Sequence, residues 1–416
     1  MNRLLAANDF DAFVEKLCAS YYAETMGRPG VPPGVFFRML FVGYFEGLKS
    51  HRLISWRCSD SRSIGEFLGL SPTDPVPNHS CVSKTQKRLP KEVYDEVFRF
   101  ILRVAARKGL LWGEAIGIDS TTIEANASMR SIVRKDSGKG WKDYTKKLAK
   151  KAGLDDPADD ELRQFDRTRP EKKVSNDDWE NPNDPDAKIT RMKDGTTRMA
   201  YKAEHAVDLD TDIVVAATVH PGTAADTETV IDTAIDAAVN LDQSECENTI
   251  EAIVADKGYH SPKVVTLPAE LGMRTYIPER TSATHRRWTD KDPSEKQAVY
   301  ANRRRTKGNC GKQLSRLRSE LTERSFAHVC DTGGARRTWL RGLVGVTKRH
   351  LMTVAARKLS VIMRALCGIG SPKALQGLPA LVQLARIHFE RLLSALESLL
   401  TALVGYGPNP SRPIGG

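Results

Sequence analysis

The apolar positions change period near residue 111, and the change divides the chain in two. Before it, "VFFRMLFVGYFEGLKSHRLISWRC" (35–58) carries apolar residues at helical spacing, with Gly47 marking a break before the next helix. The turn-rich "LGLSPTDPVPNHS" follows. Then "SCVSKTQKRLPKEVYDEVFRFILRVAARKG" is helical again, punctuated by Pro90 and stopped by Gly109. Residues 1–110 therefore read as a helical domain. Within it, "NHSCVSKTQKRL" joins a polar start to Lys84, Lys87 and Arg88. That is the form of the second helix of a helix-turn-helix, and equally of a solvated surface helix.

After residue 111 the pattern is one of strands. "EAIGIDSTTIEANA" alternates at period two, and "AEHAVDLDTDIVVAATVHPG" reads as a hairpin turning at "DLDTD". "TAADTETVIDTAIDAAVNL" predicts a helix, "TIEAIVAD" a strand, "SPKVVTLPAELG" a short helix and "RTYIPER" another strand. "GKQLSRLRSELTERSFAHV" is helical. Strands alternating with helices around one hairpin predict an α/β (mixed α+β) domain with a mixed sheet over 111–365. Residues 366–416 read as an apolar helix, packed on the core or on a partner chain, and then a tail.

A polar insertion, 128–200, interrupts this domain. Its first part, 129–151, holds nine Lys or Arg against two acids; 155–186 holds twelve acids against five basic residues. Opposite charge blocks predict a flexible or partly helical excursion outside the core, with the acidic block a solvated surface. A second basic stretch, 280–324, has thirteen basic residues against five acids. It includes "RRW" at 286–288 and Arg303, Arg304 and Arg305 in "YANRRRTKG". Arginines interleaved with Trp288 and Tyr300 suit a nucleic acid, because guanidinium binds phosphate and rings stack on bases.

Overall charge points the same way. A net +11 and a pI near 9.2 favour polyanions, nucleic acid first and an anionic membrane surface second. The 416 residues suggest two or three domains. Seven scattered cysteines form no Cys-x-x-Cys pair, so a zinc ribbon or a disulfide framework is not supported, and buried reduced thiols are expected. With no secretory apolar core and no membrane-length apolar run, a cytoplasmic protein without membrane contact is expected.

Two strands end alike: "AIGID" on Asp119 and "AIVAD" on Asp256. Acids at the carboxyl ends of neighbouring strands converge where α/β sites form, and paired carboxylates suit a hard cation such as Mg²⁺ or Mn²⁺. Each Asp read singly is better explained as a turn or cap residue, and only the matched pair favours a metal site. A two-metal site wants a third acid from a helix, and the candidates are Glu279, Glu320, Glu323 and Asp331. Glu279 reads as a turn residue. Glu323, just before Arg324 and Phe326, is narrowly preferred.

In order, "MLFVGYFEGLKSHRLISWRCSDSRSIGEFLGL", "AIGIDSTTIEANAS", "YKAEHAVDLDTDIVVAATVHPGTAAD", "VADKGYHS" and "ERSFAHVCDTGGARRTWLRGLVGVTKRHL" resemble the DDE transposases of bacterial insertion sequences, over about 30–365. The group it most resembles has a helical N-terminal DNA-binding domain ahead of an RNase H-like catalytic domain. The resemblance implies that Asp119, Asp256 and Glu323, 137 and 67 residues apart, are catalytic and metal-binding. It implies Mg²⁺-dependent phosphoryl transfer on double-stranded DNA, at terminal inverted repeats and a target, by a homodimer. Arg324, which matches the family's basic residue after the Glu, ranks first for holding phosphates, with Arg336, Arg337 and Lys348 beside it. One departure is Asp331 in "CDTGG", where relatives carry Glu; were Asp331 the third ligand, Glu323 would not be. A nuclease of the same fold and a catalytically silent DNA-binding regulator are the rival readings.

Overall fold

The computed structural model describes residues 1–23, 30–169, 176–192, 194–280, 288–289, 291–370, 385 and 387–396. Its first elements are all helical: α1 (Asn2–Ala6), α2 (Phe10–Cys18), α3 (Pro33–Phe45), α4 (His51–Asp60), α5 (Arg62–Leu68), α6 (His79–Arg88) and α7 (Lys91–Ala106). The sequence breaks are the structural ones, with α3 stopping short of Gly47 and Pro90 separating α6 from α7. Ser50, Ser61 and Asn78 cap α4, α5 and α6 by accepting backbone N–H bonds. Helix α3 is apolar nearly all round and is buried accordingly. Its buried Arg38 is held by a fork of two bonds to Asp11, at 2.9 and 2.7 Å.

The remaining elements are β1 (Ala115–Glu124), β2 (Val133–Arg134), α8 (Trp141–Lys151), α9 (Asp159–Thr168), β3 (Trp179–Glu180), β4 (Lys188–Arg191), β5 (Thr197–Asp208), β6 (Val214–Pro221), α10 (Asp226–Asp242), β7 (Ala252–Val254), α11 (Pro262–Glu270), β8 (Arg274–Tyr276), α12 (Pro293–Lys307), α13 (Asn309–Phe326) and α14 (Leu343–Cys367). The main sheet runs β5-β1-β7-β8, with β6 and the short β4 on the outer edge of β5. β1 is antiparallel to β5 and parallel to β7, so the sheet is mixed, as the alternation predicts. Helices α13 and α14 cover one face, where they meet Asp119 and His205; α10 covers the other, against Glu204. Helices α3 and α7 pack on α14, so the N-terminal helices share one continuous apolar core with the sheet.

Three expectations need correction. Strand β1 does not end on Asp119 but runs on to Glu124; its pairing with β7 ends two residues before Asp119, at Gly117. The insertion is no loose excursion, because Trp179, Ile132, Ile189 and Tyr201 form a second small core that Trp141 and Tyr144 join. Its charge blocks fold on each other, with Lys142 to Asp159 at 2.7 Å and Lys146 to Asp156 at 3.2 Å. All seven thiols are free, yet Cys310 and Cys367 are exposed rather than buried. Arg286, Arg287 and most of the expected C-terminal helix lie outside the described residues; within 387–396 the chain is helical.

Candidate active site

The register of β1 against β7 builds the site. Ala115, Ile116 and Gly117 lie beside Ala252, Ile253 and Val254. Asp119 and Asp256 each follow two residues after Gly117 and Val254, the last pair of that ladder, whose strands stand about 4.8 Å apart. Side chains alternate along β1, so Asp119 shares a face with Gly117, and that face meets α13. The Arg318 stem crosses it: a Cβ on Gly117 would stand 2.8 Å from Arg318 Cγ, so only glycine lets the arginine lie there. The guanidinium reaches Asp119 Oδ2 at 2.6 Å, and Thr322, one turn later, donates to the same oxygen at 3.3 Å. Ser120 N–H holds the other oxygen at 2.8 Å. The charge run containing Arg318 drew notice in the sequence, but this residue did not. The signal is its place one helical turn before Thr322.

Asp256 follows the end of β7 and caps a short 3₁₀ turn, Lys257–Tyr259, its Oδ1 accepting Gly258 N–H at 2.7 Å. It is thus a turn residue and a sheet-edge acid at once. Glu323 lies on α13 directly after Thr322, on the exposed side of the helix. The competing acids sit differently. Glu279 pairs with Arg303 (Oε1 at 3.0 Å), Glu320 pairs with Arg324, and Asp331 pairs with Arg336 at 2.7 Å beyond the end of α13. The segment after Asp331 bonds the far end of β1 at Glu124, away from Asp119.

Among the described residues, no group of three or more His, Cys, Asp or Glu is gathered closely enough to hold a metal ion. The donor type nonetheless suits a hard divalent cation: carboxylates at Asp119 and Asp256, and a third, Glu323, exposed on α13. An ion at Asp119 would share or displace the Arg318 guanidinium.

The expected DNA contacts divide into surface and interior. Lys84, Lys87 and Arg88 are exposed on α6, and Arg304 is exposed on α12. Arg336 and Arg337 are exposed, with Arg337 3.6 Å from Glu124. Lys348 is buried, donating to the carbonyls of Gln86 at 3.3 Å and Leu89 at 2.6 Å, so it closes the end of α6 and is not a phosphate contact. Arg305 likewise bonds the Thr275 carbonyl at 3.1 Å, and Arg303 is held by Glu279 and lies over Tyr300. Arg324 bonds Glu320 and lies 3.7 Å from Asp212.

Behind Asp119 the face is apolar and neutral. His205, opposite Asp119 on β5, stacks on Phe326 and meets His350 Nε2 at 2.9 Å and Ser325 at 2.8 Å. Burial holds the His205 ring well below the usual histidine range and His350 at about 3; burial also lowers His51 to about 4. Unfolded histidine takes its proton near pH 6.5, so below that the unfolded chain binds more protons than the folded one. Stability therefore falls as pH falls from 6.5 towards 4, by about 1.4 kcal/mol per unit for each histidine. A urea midpoint that drops steeply between pH 7 and 5 is the expected result; a flat one would show these rings protonating in place.

A family model for a transposase DDE domain matches residues 116–359, well over half of the chain, and a transposase domain model (DUF772) matches residues 1–88. No curated protein and no solved structure matches significantly. The first match starts one residue into β1 and ends within α14, so it takes in Asp119, Asp256 and Glu323. The second covers α1 to α6.

Proposed function

The chain belongs to the DDE transposases, enzymes that cleave and transfer DNA, and on that premise we propose that Asp119, Asp256 and Glu323 are its catalytic acids and hold Mg²⁺, with Mn²⁺ as a substitute. The observation that supports the assignment is the β1–β7 ladder: Asp119 and Asp256, from distant parts of the chain, each follow two residues after its last pair, Gly117 and Val254. The mixed sheet behind a helical N-terminal region agrees with the RNase H-like fold of the family. When bound, the metal supplies an activated water or DNA 3′-hydroxyl and stabilises the leaving oxygen of an in-line displacement.

The protein's own part is placement. Asp119 is fixed by Ser120 N–H and Thr322, Asp256 by its own turn, and Arg318 stands ready to neutralise a phosphate drawn up to Asp119. Glu323 is exposed on α13, one residue after Thr322. DNA reaches the site across α6, with Lys84, Lys87 and Arg88, and along Arg304, Arg336 and Arg337. The substrates are terminal inverted repeats and target DNA. The enzyme acts in the cytoplasm as a homodimer, because two ends are cut together. Among the described residues, no helix is long and apolar enough to cross a membrane.

The test is Mg²⁺-dependent cleavage of DNA carrying the element's own ends, with a target plasmid in the same tube. Cleavage followed by joining supports the reading; cleavage without joining leaves a nuclease. Binding should also be strongly salt-dependent. A footprint of about six phosphates loses roughly 10³-fold in affinity between 50 and 200 mM salt. Affinity that stays flat over this range would remove the basic surface from the DNA path.

A further inference from the structure

The turn that carries Asp256 is held from behind by a buried ionic brace. Glu204, on β5 one residue from the partner of Asp119, points to the opposite face and is wholly buried. A lone carboxylate there would cost several kcal/mol, so its partners matter. Tyr259 of the Asp256 turn donates its hydroxyl to Glu204 Oε1 at 2.9 Å. Thr229 and Thr233 of α10 donate at 3.0 and 2.5 Å, and Lys202 supplies the positive charge at 3.3 Å. Lys202 then reaches Asp226, the first residue of α10, at 2.6 Å.

Asp226 closes the circuit on the turn. A Cβ on Gly258 would lie 2.8 Å from Asp226 Oδ2 and 2.9 Å from Asp256 Oδ1, so the two oxygens are at most 5.7 Å apart with the Gly258 backbone between them. Any side chain at 258 would push the carboxylates away, which gives the glycine in "ADKGY" a physical reason. On the outer side Arg280 donates to the Lys257 and Gly258 carbonyls, at 3.3 and 2.7 Å. Three residues of turn are thus gripped from the sheet, from α10 and from solvent.

We propose that Glu204 is a positioning residue for the reaction: through Tyr259 and the Lys202–Asp226 pair it fixes the turn that presents Asp256 to the metal. The proposal rests on Asp256 being a metal ligand. Groups of this kind stand behind a ligand, do not touch substrate, and typically change metal affinity or activity roughly 10- to 100-fold when removed.

Tyr259→Phe is the sharpest test, because it keeps the ring under Lys202 and deletes only the hydroxyl. Mn²⁺ binding to the protein alone, followed by electron paramagnetic resonance, should weaken roughly tenfold or more, and cleavage of end DNA should slow by a similar factor. DNA affinity measured in EDTA should stay at the wild-type value. Glu204→Gln, which keeps the shape and removes the charge, should move the same two readouts further. Wild-type Mn²⁺ binding and cleavage in Tyr259→Phe would overturn the brace, as would loss of DNA binding in parallel with both. The underlying reading fails separately: an Asp256→Asn protein that still cuts removes Asp256 itself, whereas an inactive Asp256→Asn beside a fully active Tyr259→Phe removes only the brace.

Discussion

Asp256→Asn is expected to lower end cleavage by about 10³-fold or more, equivalent to about 4 kcal/mol of lost transition-state stabilisation, with DNA binding held within about twofold. Asparagine matches aspartate in size, and its carbonyl oxygen can still accept Gly258 N–H, so the turn survives the exchange. What goes is a full negative charge just past the end of β7, at the head of the turn. A neutral amide oxygen binds a hard divalent cation far more weakly than a carboxylate, and Asp226, which lies across Gly258 from Asp256, is engaged by Lys202. Single-turnover cleavage in saturating Mg²⁺ measures the rate, and a gel shift in EDTA measures binding. A mutant that cuts within about tenfold of wild type would mean that Asp256 is a turn residue and nothing more.

The parallel pairing was legible because Asp119 and Asp256 each close an apolar run, and those two runs, 115–117 and 252–254, are the ones that pair. Strand length was not legible. β1 continues through Thr121, Thr122 and Ile123 because β5 pairs with it along its whole length, a partner some 80 residues away. Lys348 and Arg305 were misread for one physical reason: a cation in a charge run and a cation satisfying backbone carbonyls look alike in sequence. Lys348 satisfies carbonyls 259 and 262 residues distant, and Arg305 one at 30. The insertion looked loose because its two charge blocks are separate along the chain; folded, Lys142 and Lys146 meet Asp159 and Asp156 over a core built on Trp179. Glu323 was narrowly preferred for its neighbours Arg324 and Phe326 and matched by the family resemblance; in the fold it is Thr322 beside it that meets Asp119, while Glu323 is exposed. Arg324, ranked first among the phosphate contacts, faces carboxylates instead.

Those carboxylates lead to the largest expected loss of stability, Asp212→Asn, at about 3–5 kcal/mol. Asp212 sits in the β5–β6 turn with a φ of +63°, a conformation asparagine adopts as readily, so the exchange changes charge and not backbone. Its Oδ1 takes Arg357 at 2.6 Å, its carbonyl takes the same guanidinium at 2.8 Å, and Arg364 and Arg324 stand at 3.6 and 3.7 Å. Arg357 is wholly buried in α14, so the mutant leaves a guanidinium in the interior without its counter-charge. Arg357→Met should cost less, since Asp212 keeps Arg324 and Arg364, and the double mutant should recover part of the loss of Asp212→Asn alone. Urea unfolding of all four proteins at pH 7, with unchanged slopes, measures the coupling. A cost below about 1 kcal/mol for Asp212→Asn would show the pair to be solvated. The hub also reaches the candidate site, because Arg324 ties it to α13, the helix whose Arg318 and Thr322 bond Asp119. Loosening Asp212 should therefore lower cleavage before it unfolds the protein.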